Sequence, residues 1–163
     1  MRNSQNGFTL LEILIAMLII AVGVLGHAKM QVKSMDIGQR AGFAQTANLA
    51  LLDLSQRIRV NPQAALANEF NFTNLTTGIA PTTTVDCGNA PCTTHAQFAQ
   101  YEVKEWFDDL NAQLPLPRFS VGRVGNLVTI TLVWDAARTG IASGVCNLNS
   151  GNYQCGSLTV WLR

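Results

Sequence analysis

The longest hydrophobic stretch of the chain runs from Phe8 to Gly26, close to the N-terminus. Apart from glycines, its only polar residues are Thr9 and Glu12. As a helix rising about 1.5 Å per residue, this stretch spans about 28 Å, close to the hydrocarbon thickness of a bilayer. The pattern therefore predicts a membrane-spanning helix over residues 8–28, after which Lys29 marks the return to water.

Hydrophobic positions continue beyond this stretch with the spacing of an amphipathic helix. They recur every three or four residues at Ala44, Ala47, Leu51, Leu54 and Ile58. Pro62 disfavours helical backbone at the residue before it and sets an end to the pattern. We therefore predict one continuous helix from Phe8 to about Val60, with an apolar first half and an amphipathic second half.

A shorter helix is predicted after Cys92, where Thr93 or Thr94 can cap the first turn. Its hydrophobic face comprises Ala99, Val103, Trp106, Phe107, Leu110 and Leu114. Acidic residues lie mostly on another face, at Glu102, Glu105, Asp108 and Asp109. Catalytic carboxylates need an enclosed site that separates their pKa values, and an exposed helix face provides none, so we interpret these residues as solvated charges.

The last third of the chain has the alternation of β-strands. Strands are predicted at residues 119–124 and 127–134, joined by the two-residue turn Gly125-Asn126, and at residues 157–163. Residues 68–89 are rich in Asn, Thr, Gly and Pro and are predicted to be a loop. The prediction is an α+β fold, in which a small antiparallel sheet packs on the amphipathic half of the long helix.

The amino-acid composition and the motifs argue against some classes of function and so guide the functional prediction. The 163 residues carry 11 basic and 10 acidic side chains, and charged residues make up only 13% of the chain. This near-neutral chain shows no clustered basic face, so nucleic acid is not an expected partner. No phosphate-binding loop, nucleophile elbow or zinc-protease motif is present, so we expect neither an enzyme nor a bound cofactor.

Four cysteines, Cys87, Cys92, Cys146 and Cys155, all lie in the C-terminal half. An even number behind a membrane-directing segment indicates disulfides in an oxidising compartment. Three pairings are possible, and we favour the local ones, Cys87–Cys92 and Cys146–Cys155, because short separations make encounter easy. The spacings differ from the tight pairs of zinc sites, so no metal is expected, although His95 lies near Cys92.

Glu12 is the informative residue of the apolar stretch, because a carboxylate in hydrocarbon is costly unless it finds a partner. Cleavage between Gly7 and Phe8 would create an amino group four residues earlier, on the same helical face. An amine from a neighbouring subunit could also pair with Glu12. A secretory signal peptide is disfavoured by the lack of a good cleavage site after the stretch, and a plain signal anchor leaves Glu12 unexplained.

The segment GFTLLEILIAMLIIAVGVLG resembles the class III leader and N-terminal helix of type IV pilins and pseudopilins. The resemblance implies that a prepilin peptidase cuts after Gly7 and that Phe8 becomes the N-methylated mature N-terminus. It also implies that Glu12 neutralises a neighbouring subunit's terminal amine during assembly. Four blocks further resemble the PilV minor pilins, or type IV pilus modification proteins: AVGVLGHAKMQ, ANLALLDLSQRIRVNP, CTTHAQFAQYEVKEW and VTITLVW.

The resemblance implies a type IV pilin-like fold with a cleaved leader (residues 1–7), a transmembrane and assembly helix (8–28) and a periplasmic globular domain (29–163). The expected function is that of a structural minor pilin, which helps to initiate the pilus near its tip and acts through it in adhesion or twitching motility. Its partners would be inner-membrane lipid, the processing peptidase and methyltransferase, other minor pilins and the major pilin. The alternatives are a minor pseudopilin of a type II secretion system and, in a different class, a membrane-tethered periplasmic enzyme or receptor.

Overall fold

The computed structural model describes residues 9–146, 151 and 154–162. Within these residues the elements follow one another as three helices and four strands. They are α1 (Leu10–Val60), α2 (Pro62–Leu66), β1 (Phe72–Thr73), α3 (His95–Gln113), β2 (Arg118–Val124), β3 (Leu127–Trp134) and β4 (Gln154–Trp161). The long N-terminal helix and the small antiparallel sheet confirm the predicted α+β architecture.

The chain divides into two compact units, Met1–Gln39 and Arg40–Arg163. The described part of the first unit is the N-terminal portion of α1, and its side chains are exposed except for the half-buried Asp36. The second unit contains the remaining part of α1, every other element and the whole hydrophobic core. The core cluster therefore includes no described residue of the first unit.

The sheet of the second unit has the order β1-β2-β3-β4, and each neighbouring pair is antiparallel. Its inner face, with Val128, Ile130 and Leu132 on β3, is buried in one core cluster with the helices. The α1 stripe in this cluster is Ala47, Leu51, Leu54 and Ile58, and all predicted hydrophobic positions of α3 are buried as well. Both periodic patterns thus predicted the buried helix faces correctly.

Phe119 lies at the centre of an aromatic cluster that joins the sheet to α3. Its ring centroid is 5.1 Å from that of Phe72, 5.0 Å from Trp106 and 5.4 Å from Phe107. The Trp106 indole N–H donates a 2.8 Å hydrogen bond to the carbonyl of Ala50 on α1. A buried indole needs a hydrogen-bond acceptor, and this bond provides it. Trp106 therefore connects α3 to α1 through the hydrogen bond and to the sheet through its contact with Phe119.

The predicted hairpin between β2 and β3 is confirmed, with Val124 opposite Leu127 and a two-residue turn between them. Gly125 has a φ of 60°, a left-handed conformation that glycine adopts without steric cost. On β4, Gly156 faces α1 so closely that a Cβ atom there would lie 3.0 Å from Leu51 Cδ1. The missing side chain at residue 156 thus allows the close approach of this strand to the helix.

Three predicted features need correction. The short helix α2 follows α1 directly, because Pro62 suits a first helical turn and the Asn61 side chain accepts a hydrogen bond from the Ala64 N–H. The region predicted as a loop contains the two-residue strand β1, which is too short to show an alternation. The last strand starts at Gln154, three residues before the prediction, because pairing with β3 extends it.

Two disulfides, Cys87–Cys92 and Cys146–Cys155, are present in the second unit. The first closes a loop before α3, and the second connects the beginning of β4 to the segment after β3. Each spans fewer than ten residues of sequence, with Cα–Cα distances of 5.2 and 5.6 Å. They hold loops rather than joining distant elements.

Candidate functional site

The candidate site is the start of α1, near which a cleavage point and a modified terminus are predicted from the sequence, and which carries the acidic residue Glu12. Gly7 and Phe8 lie outside the described residues, and Glu12 lies in the first turn of the helix. The Glu12 backbone N–H donates to the Thr9 carbonyl (3.1 Å) and to the Thr9 hydroxyl (3.3 Å). Thr9 therefore caps the helix, which begins at Leu10, three positions after Gly7.

Thr9 is a capping residue that the sequence analysis did not identify. The threonine, followed three residues later by a glutamate, has the spacing of a capping box. An acidic residue in a first turn also interacts favourably with the positive end of the helix dipole. These two effects stabilise Glu12 locally, but they leave its carboxylate exposed for an additional cation.

The surface around Glu12 is strongly hydrophobic. The large apolar side chains from Leu10 to Leu25 are each between 49% and 77% exposed. An 18-residue window of α1 reaches a mean hydropathy of 2.4 and is not buried within the protein, so α1 is long and apolar enough to cross a membrane. Such a surface is stable in lipid or against other apolar helices, and it is unfavourable in water.

In the second unit, charged side chains connect α1 to α3. Arg57 binds Asp53 on its own helix at 2.9 Å and Glu102 on α3 at 2.6 Å. Burial acts to lower the pKa of Arg57, but its hydrogen bonds to Asp53 and Glu102 outweigh this effect and raise the pKa above its usual value. Glu102, interpreted from sequence as a solvated charge, is thus half-buried and paired.

The other residues that the sequence analysis considered are the four cysteines, His95 and the acidic residues of α3. In the described part of the chain, no group of three or more His, Cys, Asp or Glu side chains could hold a metal ion. All four cysteines are in disulfides, and His95 is exposed at the start of α3. The remaining acidic residues of α3, Glu105, Asp108 and Asp109, are exposed as predicted.

Comparison with known families gives one match, to the prokaryotic N-terminal methylation motif, over residues 2–26. No curated protein and no solved structure matches the chain. The matched region includes Gly7, Phe8, the capping Thr9 and Glu12, and it extends to the end of the apolar stretch. The motif implies processing by a prepilin peptidase, membrane anchoring and assembly with other pilins as a structural subunit. Together with the long apolar helix and the small antiparallel sheet, it supports a type IV pilin-like prepilin.

Proposed function

We propose that this chain is a minor pilin of a type IV pilus, a non-enzymatic subunit that helps to initiate assembly and enters the fibre near its tip. Residues 1–7 are the leader, residues 8–28 the transmembrane and assembly helix, and residues 29–163 the periplasmic domain. The chain crosses the inner membrane once before assembly. Through the pilus it contributes to adhesion or twitching motility.

The observation that carries this proposal is an acidic residue in the first turn of an exposed apolar helix that matches the methylation motif. In a filament, other pilin helices replace lipid around residues 10–25. The Glu12 carboxylate then loses access to the headgroup region and needs a counter-ion. The amino group of Phe8 on a neighbouring subunit supplies that charge.

The assignment as a minor pilin rests on the four sequence blocks that resemble the PilV proteins, and the two disulfides suit a periplasmic domain. A minor pseudopilin of a type II secretion system would carry the same methylation motif. Neighbouring genes for minor pilins or pilus adhesins favour the pilus, whereas genes for a secretin and a secretion ATPase favour secretion.

The first test is the chemical identity of the mature N-terminus. We expect mass spectrometry of the membrane-derived protein to find a chain that begins with N-methylated Phe8. Deletion of the prepilin peptidase gene should leave the leader attached. A chain that keeps Met1, or that begins after about residue 25, would instead support a membrane-tethered enzyme or receptor.

The second test is Glu12→Ala, followed by incorporation into sheared fibres. We expect the variant to be cut after Gly7 as usual and to enter fibres poorly, because the terminal amine of its neighbour has lost its partner. Ile13→Ala, an adjacent change that removes apolar surface but no charge, is the matched control and should incorporate almost normally. Equal incorporation of both variants would contradict the proposed pairing of amine and carboxylate.

A further inference from the structure

The strand β4 forms one edge of the sheet, and among the described residues it has no further strand beside it. Over Gln154–Trp161 it contains no charged residue and no proline. Edge strands in soluble proteins are commonly protected by lysine, proline, bulges or a covering element. The start of β4 is joined to the segment after β3 by the Cys146–Cys155 disulfide, so the exposed part of the edge, from Ser157 to Trp161, is the candidate for pairing with another chain.

The hydrogen bonds identify which backbone groups of β4 face outwards. The Leu162 N–H donates to the Asn126 carbonyl at 2.8 Å, which places residue 162 and its even-numbered neighbours in the hydrogen-bonded positions towards β3. The amides and carbonyls of Ser157, Thr159 and Trp161 consequently point away from the sheet. All three residues are exposed, and none of these outward groups has a backbone partner within the described ranges.

An exposed apolar row ends at the same edge. Val124, Leu127 and Trp161 are opposite one another on β2, β3 and β4, and they are 82%, 41% and 60% exposed. Side chains in such register touch across a sheet. Trp161 also lines a cleft with Arg59, Pro62 and Leu162. Tryptophan and arginine are enriched among the residues that dominate protein interfaces, so this end of the edge is suited to a protein partner.

A second copy of the chain fits this edge poorly. When two β4 strands pair around a two-fold axis, outer-face residues must oppose outer-face residues. In the registers that pair most of the strand, Trp161 of one copy would lie opposite Cys155, Ser157 or Thr159 of the other copy. None of these three side chains offers a large apolar surface for the tryptophan ring. Two Trp161 side chains meet only when the overlap shrinks to the strand ends. The opposite edge of another copy offers only the two-residue β1.

We propose that the β4 edge binds an extended, uncharged strand from a different pilin-like subunit, with an apolar side chain of that strand packed on Trp161. The outward N–H and C=O groups of β4 alternate along the strand, and only an extended backbone beside it can form hydrogen bonds with all of them. Because β4 carries no charged side chain that could pair with an opposite charge, we expect the added strand to be uncharged as well. The choice of partner rests on the proposed function, since the chain would assemble with other pilins. This contact lies on the sheet and is separate from the apolar helix.

The test is photo-crosslinking of the full chain in bacteria that assemble the fibre. The photoreactive residue p-benzoylphenylalanine replaces Thr159 at the β4 edge or, as the control, Thr73 at the opposite edge. We expect ultraviolet light to join position 159, but not position 73, to an extended segment of another pilin-like subunit, located by mass spectrometry. Equal adducts from both positions, adducts only with a second copy, or no adduct would overturn the proposal.

A second experiment in the same cells tests whether the outward backbone N–H groups of β4 donate hydrogen bonds to the partner strand. Ser157→Pro removes one outward N–H group and leaves the hydrogen bonds between β4 and β3 intact. We expect the adduct yield from position 159 to fall about tenfold, the equivalent of about 1.4 kcal/mol, while Ser157→Ala keeps it. Trp161→Ser removes the apolar side chain but keeps the backbone N–H and C=O groups, and it should also lower the adduct yield from position 159. Unchanged yields in Ser157→Pro and Trp161→Ser would contradict strand addition.

The mature N-terminus is determined in these samples. If the chain begins with Phe8 and gives no adduct, the strand proposal fails while the proposed function stands. If the chain is uncut, the proposed function itself fails. The two failures are therefore distinguishable in one experiment.

Discussion

Arg57 is a single side chain that fixes the position of two helices. Its guanidinium group holds Asp53 within α1 and Glu102 on α3, and its contact with Glu102 is largely shielded from water. The other ion pair of α3, between Lys104 and Asp108, lies on the surface within one helix. Comparison of these two ion pairs therefore separates the effect of a pair that joins two helices from that of a pair within one helix.

We expect Glu102→Gln to lower the free energy of unfolding by about 1–2 kcal/mol, because it leaves the half-buried Arg57 with an uncharged partner across the helix interface. Asp108→Asn is the matched control and should cost less than about 0.5 kcal/mol, as exposed pairs contribute little. Chemical denaturation of the full chain in detergent micelles measures both. Equal losses would mean that the link between the helices does not stabilise the domain.

Residue roles that depend on distant neighbours were the hardest to predict. Glu102 and Glu105 look alike in the sequence, yet only Glu102 meets Arg57, which is 45 residues earlier. The burial of Asn74 also depends on a distant residue. Its side-chain oxygen accepts a 2.7 Å hydrogen bond from the Phe119 N–H, which compensates for the loss of water. By contrast, the capping role of Thr9 is local, and although the sequence analysis did not identify it, the spacing to Glu12 alone would have allowed its prediction.

Among the secondary-structure elements, β4 approaches α1 closely at one position. Gly156 lies against Leu51, whereas Gly122 on β2 has open space where a side chain would be. The two glycines thus have different constraints although both lie in strands of the same sheet. Space, rather than backbone conformation, decides which of them can be replaced.

Gly156→Val should destabilise the domain by about 1–3 kcal/mol, because the larger side chain pushes the sheet away from the helix. Gly122→Ala tests the general effect of replacing a strand glycine and should change stability by less than about 0.5 kcal/mol. Thermal unfolding followed by circular dichroism distinguishes them. A second change, Leu51→Ala, should recover part of the loss in the Gly156→Val background, and additive losses would exclude direct contact.

The elements with long, regular patterns were predicted well, and the short ones were not. The end of α1, the buried face of α3 and the hairpin between β2 and β3 follow from periodicity and turn residues. The strand β1 has only two residues, paired with Val121 and Ser120, so its existence depends on a partner almost 50 residues away. The helix α2 was missed because Pro62 was interpreted only as an end signal and not also as a start.

For the molecule as a whole, the separation of core and apolar helix determines what each part contributes. The core cluster begins with Phe43 and Ala44 at its margin and extends to Leu162. No described residue before Arg40 belongs to it, which fits the proposal that the apolar stretch makes its contacts outside the domain. The folded domain and the assembly surface can therefore be altered independently.

Removal of residues 1–28 should allow purification without detergent and leave the melting temperature within about 3 °C of the full chain in micelles. Removal of residues 1–50 is the informative counterpart, because it deletes Ala47 and should abolish cooperative unfolding. Size-exclusion chromatography and calorimetry measure these outcomes. Aggregation of the shorter deletion would show that the N-terminal helix is required for folding.

Under the proposed periplasmic location, the position of Leu162 in the core has a consequence for the order of events during export. The α1 stripe leaves the ribosome first, whereas Leu162, which is buried in the same cluster, lies 104 positions after Ile58 and leaves much later. Contacts between such distant segments form slowly, so the chain can pass a translocation channel before its core closes. The bond between Cys146 and Cys155 also forms only where oxidation is possible. We therefore expect the domain to mature after translocation, while the helix at its N-terminus already holds it at the bilayer.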